Sequence, residues 1–361
     1  MKQEGDWQKL SEVYQERGLV LALGAGVSYG CKIPSWEELL KRLAANLPGI
    51  DGLSFYQQLK EDGYSLPAIA SVLEALYPEN RFTHEIKNQL YRDFPFSEGI
   101  DKENRKRFIK FVKDENLTLA AVASFCTLRD GEESFIPNPR IHAIINTNYD
   151  QTLQAYMHAR HRLEKRNRFG RWNVIRTIER PSAGSKYGSI PTYYMHGYIR
   201  FDKEIDNYRK GAADLRVLTE QDFFDFFNNP NALFNYTFLY LLREYPCLFV
   251  GMSLKDDNIR RLLHYSNKER KASHLKEGRK SATAERKSQR HFALIKYPTK
   301  KIEEKGKERV ISLPQLAEAT RVALKRLGVT VLWVEDYSEI RTRLRALYQS
   351  TTPKLKWAKV Y

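Results

Sequence analysis

The sequence predicts an α/β protein: a Rossmann-like, doubly wound parallel sheet with a helical subdomain inserted after its first strand. Seven short apolar runs recur along the chain: "LVLAL" (19–23), "IHAIINTNYD" (141–150), "NVIRTIE" (173–179), "TYYMHGYI" (192–199), "PCLFVGMSLKDDNI" (246–259), "HFALIKY" (291–297) and "VTVLWVEDY" (329–337). Several are continuous rather than alternating, as strands buried on both faces of a parallel sheet require. Helical periodicity lies between them. Five of the runs end in small, polar or titratable residues, on the carboxyl side, where such sheets bind ligands.

In chain order, residues 7–17 form an amphipathic helix before the first strand. "PSWEELLKRLAANL" then opens a helix, with Ser35 as N-cap, Glu37 and Glu38 in the first turn, and Leu39, Leu40, Leu43 and Leu47 on one face. Four further segments carry helical spacing: 65–77, 83–94, 104–115 and 117–128. No strand is expected to interrupt this block before about residue 135. Helices at 218–228 and 231–243 precede the fifth run. The expected partition is a single domain, 1–361, with a core at 18–36 and 140–345, a helical subdomain at 37–139, and a basic flexible insertion at 266–290.

Composition narrows the classes. The 361 residues are 42% hydrophobic, enough for a sizeable core. No apolar stretch approaches the ~20 residues of a membrane span, and the charged N-terminal segment reads as neither signal peptide nor anchor. A cytoplasmic protein without membrane contact is expected. The three cysteines are scattered, so neither a disulfide framework nor a cysteine zinc site is expected. Sixty basic against 44 acidic residues give a net charge of +16. A polyanion such as nucleic acid is a candidate partner. The excess is partly local, in 267–290, which lacks apolar periodicity and lacks aromatics interleaved for base stacking.

Four blocks, each at a strand end, read "GAGVSYGCKIPSW" (24–36), "NTNYD" (146–150), "MHG" (195–197) and "VGMSLKDDNI" (250–259). In this order they resemble the sirtuin-like family of NAD-consuming domains, in its shorter, mostly prokaryotic branch that carries T-N-Y-D rather than Q-N-I-D. The resemblance implies an NAD-binding domain that hydrolyses NAD+, often as a suicidal bacterial response to phage. Two departures weigh against deacylase chemistry. There are no cysteines for the deacylase zinc ribbon, and Ser35-Trp36-Glu37 stands where deacylases have Asp-Phe-Arg.

On that resemblance, His196 and Asn148 are the expected catalytic pair. Asn148 orients water or the ribose hydroxyls, and neutral His196 acts as base near pH 7. Gly24 and Gly26 let backbone N–H groups approach the pyrophosphate, and Ser28 adds a hydroxyl. Asp150 accepts from the nicotinamide amide, and Gly251 and Ser253 contact the adenosine side. Ala25, Pro34, Trp36 and Thr147 complete the expected NAD-binding set. Residue by residue, blander readings stand beside these: a tight turn at 24–28, an Asx-turn in "TNYD", a core histidine at 196, packing for Trp36. Asp256 is expected to cap the following helix. Glu335 and Asp336 could accept from the adenosine. His158 and His161 have metal-ligand spacing without a third ligand, so no metal is expected.

The expected activity is NAD+ glycohydrolysis, with NAD+ as substrate, in anti-phage defence. Gating would come from homo-oligomerisation or a partner such as a HerA-type ATPase or an Argonaute-like protein. Two alternatives remain open: NAD-dependent deacylation or ADP-ribosyl transfer, and a non-catalytic NAD- or ADP-ribose-sensing or DNA-associated subunit.

Overall fold

The computed structural model describes residues 2–78, 81–130, 134–163, 174–178, 188–201, 217–228, 233–304 and 307–351. Helix α1 (Lys2–Arg17) ends at Gly18, whose φ of +67° turns the chain into β1 (Leu19–Leu23). Two short 3-10 turns, Ala25–Val27 and Tyr29–Cys31, follow. A helical block comes next: α2 (Trp36–Ala45), α3 (Gly52–Glu61), α4 (Leu66–Leu76), α5 (Arg81–Tyr91), α6 (Arg105–Glu115) and α7 (Leu117–Phe125). Ser35 caps α2 as expected, accepting from the Glu38 N–H at 3.2 Å.

Strands β2 (Thr127–Asp130) and β3 (Ser134–Pro137) then pair as an antiparallel hairpin. This corrects the expectation that no strand interrupts the block. The sequence signal was the Asp130-Gly131 pair. The chain continues through β4 (Ile141–Asn146), α8 (Thr152–Leu163), β5 (Ile175–Ile178), β6 (Ile190–Tyr194), α9 (Glu220–Asn228), α10 (Leu233–Glu244) and β7 (Cys247–Val250). The expected third strand was 173–179; residues 173 and 179 lie outside the described residues. Next come α11 (Asp257–Lys276), α12 (Ser281–Ser288), β8 (His291–Lys296), a hairpin of β9 (Thr299–Glu304) and β10 (Lys307–Ser312), α13 (Pro314–Arg326), β11 (Val329–Val334) and α14 (Glu339–Thr351).

The seven expected strands form one sheet in the order β11-β8-β7-β1-β4-β6-β5, and every neighbouring pair is parallel. Strand β1 is central, and its residues divide between two cores. Leu19, Leu21 and Leu23 face the side covered by α1, the helical block, α8 and α14. Val20 and Ala22 face α10, α11 and α13. Burial of every β1 residue explains why the run is uninterrupted by polar residues. Parallel pairing with β4 on one side and β7 on the other places the C-terminal end of β1 beside theirs, at the switch in strand order where doubly wound sheets bind ligands.

The stretch 266–290 departs from expectation. Rather than a flexible insertion, it is the second half of α11 followed by α12. Lys, Arg, Glu and Ala are good helix formers even without an apolar stripe. Tertiary anchors hold it: Asn267 donates to the Arg326 carbonyl at 3.0 Å, and Arg270 donates to the carbonyls of Leu242 at 2.9 Å and Ser288 at 3.3 Å. Cys31, Cys126 and Cys247 are free thiols in the core. No helix among the described residues is long and apolar enough to cross a membrane.

The loops after β1 and β7 lock together. Gly24 N–H donates to the Val250 carbonyl at 3.1 Å and Gly26 N–H to the Gly251 carbonyl at 2.9 Å. A Cβ on Gly26 would lie 2.8 Å from Gly251 Cα, and one on Gly251, whose φ is +66°, 2.6 Å from the Val27 nitrogen. From the other side Asn116 Nδ2 donates to the Val27 carbonyl at 2.9 Å while its Oδ1 caps α7 through Leu119 N–H at 3.0 Å. Gly26→Ala is expected to destabilise the fold by about 1–3 kcal/mol through overpacking against backbone. Asn116→Ala is expected to cost about 1–3 kcal/mol, since it removes a cap and strands a buried carbonyl. Urea denaturation midpoints check both.

Candidate active site

A cleft of about 350 Å³ opens at the carboxyl ends of β1, β4, β6 and β7. The β1 end contributes Gly24, Ala25, Pro34 and Trp36; the β4 end Thr147, Asn148 and Asp150; the β6 end His196; the β7 end Gly251 and Ser253. The fold thus brings ten of the twelve expected site residues to one cavity. Gly26 and Ser28 are not among the lining residues. Gly26 lies behind the wall, packed on Gly251. The N–H groups of Gly24 and Gly26 donate to the Val250 and Gly251 carbonyls rather than into the cleft. Ser28 is buried and turned inward, and its expected use as a phosphate hydroxyl does not match this placement.

Ser28 instead belongs to a closed polar network. Its Oγ lies 3.2 Å from Thr152 Oγ1 and accepts from Asn148 Nδ2 at 3.3 Å. Asn148 Nδ2 also donates to the Gly24 carbonyl at 3.1 Å. Thr152 donates to Asp150 Oδ1 through both its hydroxyl and, at 3.0 Å, its backbone N–H. Burial pushes the Asp150 carboxyl upward from its ordinary pKa, while its bonds to Thr152 and Ser28 oppose that shift. One atom of the network has no protein partner: the buried Oδ1 of Asn148. A buried acceptor left unpaired is costly unless a ligand or water satisfies it. The Trp36 indole N–H is likewise buried without a partner.

His196 sits just beyond β6, its backbone carbonyl held by Val217 N–H at 3.0 Å. Its ring bonds the Thr147 backbone carbonyl. As donor there through one nitrogen, a neutral imidazole keeps a lone pair on the other. Burial lowers its pKa below the ordinary 6.5; the charge of Asp256 and the Thr147 bond pull it back up. The ring of Phe223 lies 5.8 Å from His196 and stacks on Trp36 at 5.6 Å. Tyr149 donates to the Val217 carbonyl, and its backbone carbonyl accepts from Ile199 N–H at 2.7 Å. The segments after β4 and β6 and the chain around Val217 are thereby stitched together.

Other lining residues were not singled out as ligand contacts in the sequence. Ile33, Leu39, Leu90, Leu254 and Ile259 form an apolar wall. Their helical or strand-end spacing marks them as core, and only the fold shows that one edge of that core borders a cavity. Asp256 caps α11, accepting from Ile259 N–H at 2.9 Å, as expected, and also lines the cleft. Leu254, beside it, holds a left-handed φ of +53°. Such strain in a bulky residue gathers at functional loops. Glu335 and Asp336 are exposed beyond the edge strand β11 and do not line the cleft. His158 accepts from Arg162 Nε at 3.3 Å. Among the described residues no group of His, Cys, Asp and Glu could hold a metal ion.

Comparison with known proteins adds one match. Residues 142–313 fit the family model described as a SIR2-like domain. No curated protein matches the chain. The matched segment runs from β4 to β10 and contains Asn148, Asp150, His196, Gly251 and Asp256; the Gly24–Trp36 part of the cleft lies before it. SIR2-like domains use NAD+. A parallel seven-stranded sheet, a cleft at its strand ends and this match together show that the chain carries a SIR2-like, that is sirtuin-like, domain.

Proposed function

We propose that this protein is an NAD+ glycohydrolase, cleaving NAD+ with water to nicotinamide, ADP-ribose and a proton. The observation that carries the reading is the charge pattern of the cleft. Among the described residues its lining holds two carboxylates, Asp150 and Asp256, and a buried imidazole, but no lysine or arginine. That suits a reaction whose centre is cationic throughout. The nicotinamide–ribose bond breaks with its electron pair moving to the positively charged ring, which leaves neutral, and C1′ passes through an oxocarbenium-like state. Carboxylates in a low-dielectric cleft stabilise that state. Asn148 Oδ1 accepts from a ribose hydroxyl or from the attacking water. Burial favours the neutral, base-competent form of His196, which takes the proton the water loses.

Hydrolysis rather than acyl transfer is favoured by the sequence, which has no cysteine set for the deacylase zinc ribbon and carries Ser35-Trp36-Glu37 where deacylases have Asp-Phe-Arg. In this reading NAD+ depletion serves anti-phage defence in the cytoplasm. A cell-killing activity needs a gate, and self-association or a partner subunit, such as a HerA-type ATPase or Argonaute-like protein, supplies it.

His196→Ala and Asn148→Ala are each expected to lower nicotinamide release about 100-fold or more while leaving the circular dichroism spectrum intact. Undiminished release in both purified variants would reject the assignment. Labelled O-acyl-ADP-ribose formed from NAD+ and an acylated peptide would replace hydrolysis with deacylation. The pH profile gives a second check. His196 must be deprotonated to act as base and its pKa lies below 6.5, so the acid limb of kcat/KM should fall below pH 6.5. Asp256→Asn keeps a good N-cap but removes the charge that raises the imidazole pKa, and should move that limb to still lower pH.

A further inference from the structure

We propose that Ser28 and Thr152 are positioning residues for Asn148: their hydroxyls connect the Asp150 carboxylate to the Asn148 carboxamide and present its Oδ1, not its Nδ2, to the ligand. The functional meaning rests on the NAD-cleavage reading; the geometry rests on counting donors and acceptors.

The count starts at the carboxylate, which accepts only. Thr152 Oγ1 has one proton and donates it to Asp150 Oδ1. That oxygen can then only accept. Ser28 Oγ lies 3.2 Å from Thr152 Oγ1 and also bonds Asp150, so its single proton goes to one of these two. Ser28 Oγ is thereby left as an acceptor, and it receives Asn148 Nδ2 at 3.3 Å. The other Nδ2 hydrogen goes to the Gly24 carbonyl at 3.1 Å. Both amide hydrogens are consumed. A flipped carboxamide would face its oxygen toward the Gly24 carbonyl and a Ser28 lone pair. The amide oxygen remains as the one end without a protein partner.

Burial gives the chain its weight. Exposures are 2% for Ser28, 6% for Asn148, 3% for Asp150 and 0% for Thr152, so the bonds form away from bulk water, where an unpaired polar group is costly. The consequence is chemical selectivity. An acceptor at Asn148 Oδ1 takes an O–H group, a ribose hydroxyl or a water, and repels phosphate and carbonyl oxygens. Asp150 becomes the root of this chain, and Ser28 serves from behind the wall.

The test compares the full-length protein with Thr152→Val, Thr152→Ser and Ser28→Ala, reading nicotinamide release and, in [15N]Asn-labelled samples, hydrogen exchange of the Asn148 side-chain amide. In Thr152→Val kcat is expected to fall about 10- to 100-fold, the scale of a misplaced catalytic group, with KM little changed. Thr152→Ser should recover most of the loss. The Asn148 amide hydrogens should exchange slowly in the wild type and Thr152→Ser, and fast in Ser28→Ala. Unchanged kcat in both Thr152→Val and Ser28→Ala, or a rise in KM alone, overturns the proposal while leaving NAD cleavage standing. If the wild type releases no nicotinamide, the cleavage reading fails by itself. Amide exchange then decides the clamp: fast exchange in the wild type overturns it, and slow exchange lost in Ser28→Ala upholds it.

Discussion

Gly24 and Gly26 lie against Gly251 at distances no side chain tolerates, and much of the site depends on that contact. Two strand-end loops, more than 200 residues apart in sequence, meet backbone to backbone, the β1 loop donating N–H groups to the Val250 and Gly251 carbonyls. With the β1 loop pinned on one side by Gly251 and on the other by Asn116, Ser28 has one direction left, toward Thr152 and Asp150. The Gly24 carbonyl is simultaneously aimed at Asn148 Nδ2. Glycine at these positions lets the protein approach itself.

Around this frame the site combines an apolar wall, an imidazole and the Asp150 carboxyl, all buried, with the half-buried carboxylate of Asp256. Each is ordinary alone. Together they create a cavity where charge is expensive unless matched, so a positive centre gains more from Asp150 and Asp256 than it would in water. The same burial disfavours protonation of His196. In the proposed reaction one environment would prepare both the stabilising charge and the base. The SIR2-like match covers the imidazole and both carboxylates; the glycine loop that orients Asn148 is built from chain before it.

The basic excess has a partly structural explanation. Arg270 and Arg290 donate to backbone carbonyls at the C-terminal end of α10, and Arg17 reaches the Glu244 carbonyl there at 3.5 Å. Cations at a helix C-terminus satisfy its orphan carbonyls and offset its dipole. Burial lowers the pKa of both Arg270 and Arg290 to about 10, which leaves them charged at neutral pH. Charges spent in this way hold α10, α11 and α12 together and contribute less to any polyanion-binding face.

The seven strands, the Ser35 cap, the Asp256 cap and the gathering of small and polar residues at strand ends were legible in the sequence, because each is a local signal of periodicity or turn chemistry. The helices of 266–290 were not, since what anchors them is a set of arginine and asparagine contacts to residues elsewhere in the chain. The β2–β3 hairpin left a signal in Asp130-Gly131 that the surrounding helical pattern outweighed. Which way Ser28 points, what the glycines face, and which end of the Asn148 amide is free were decided only by tertiary structure. A hydrogen bond's direction depends on which partners remain unspent, and here those partners come from segments about 120 and more residues apart in sequence.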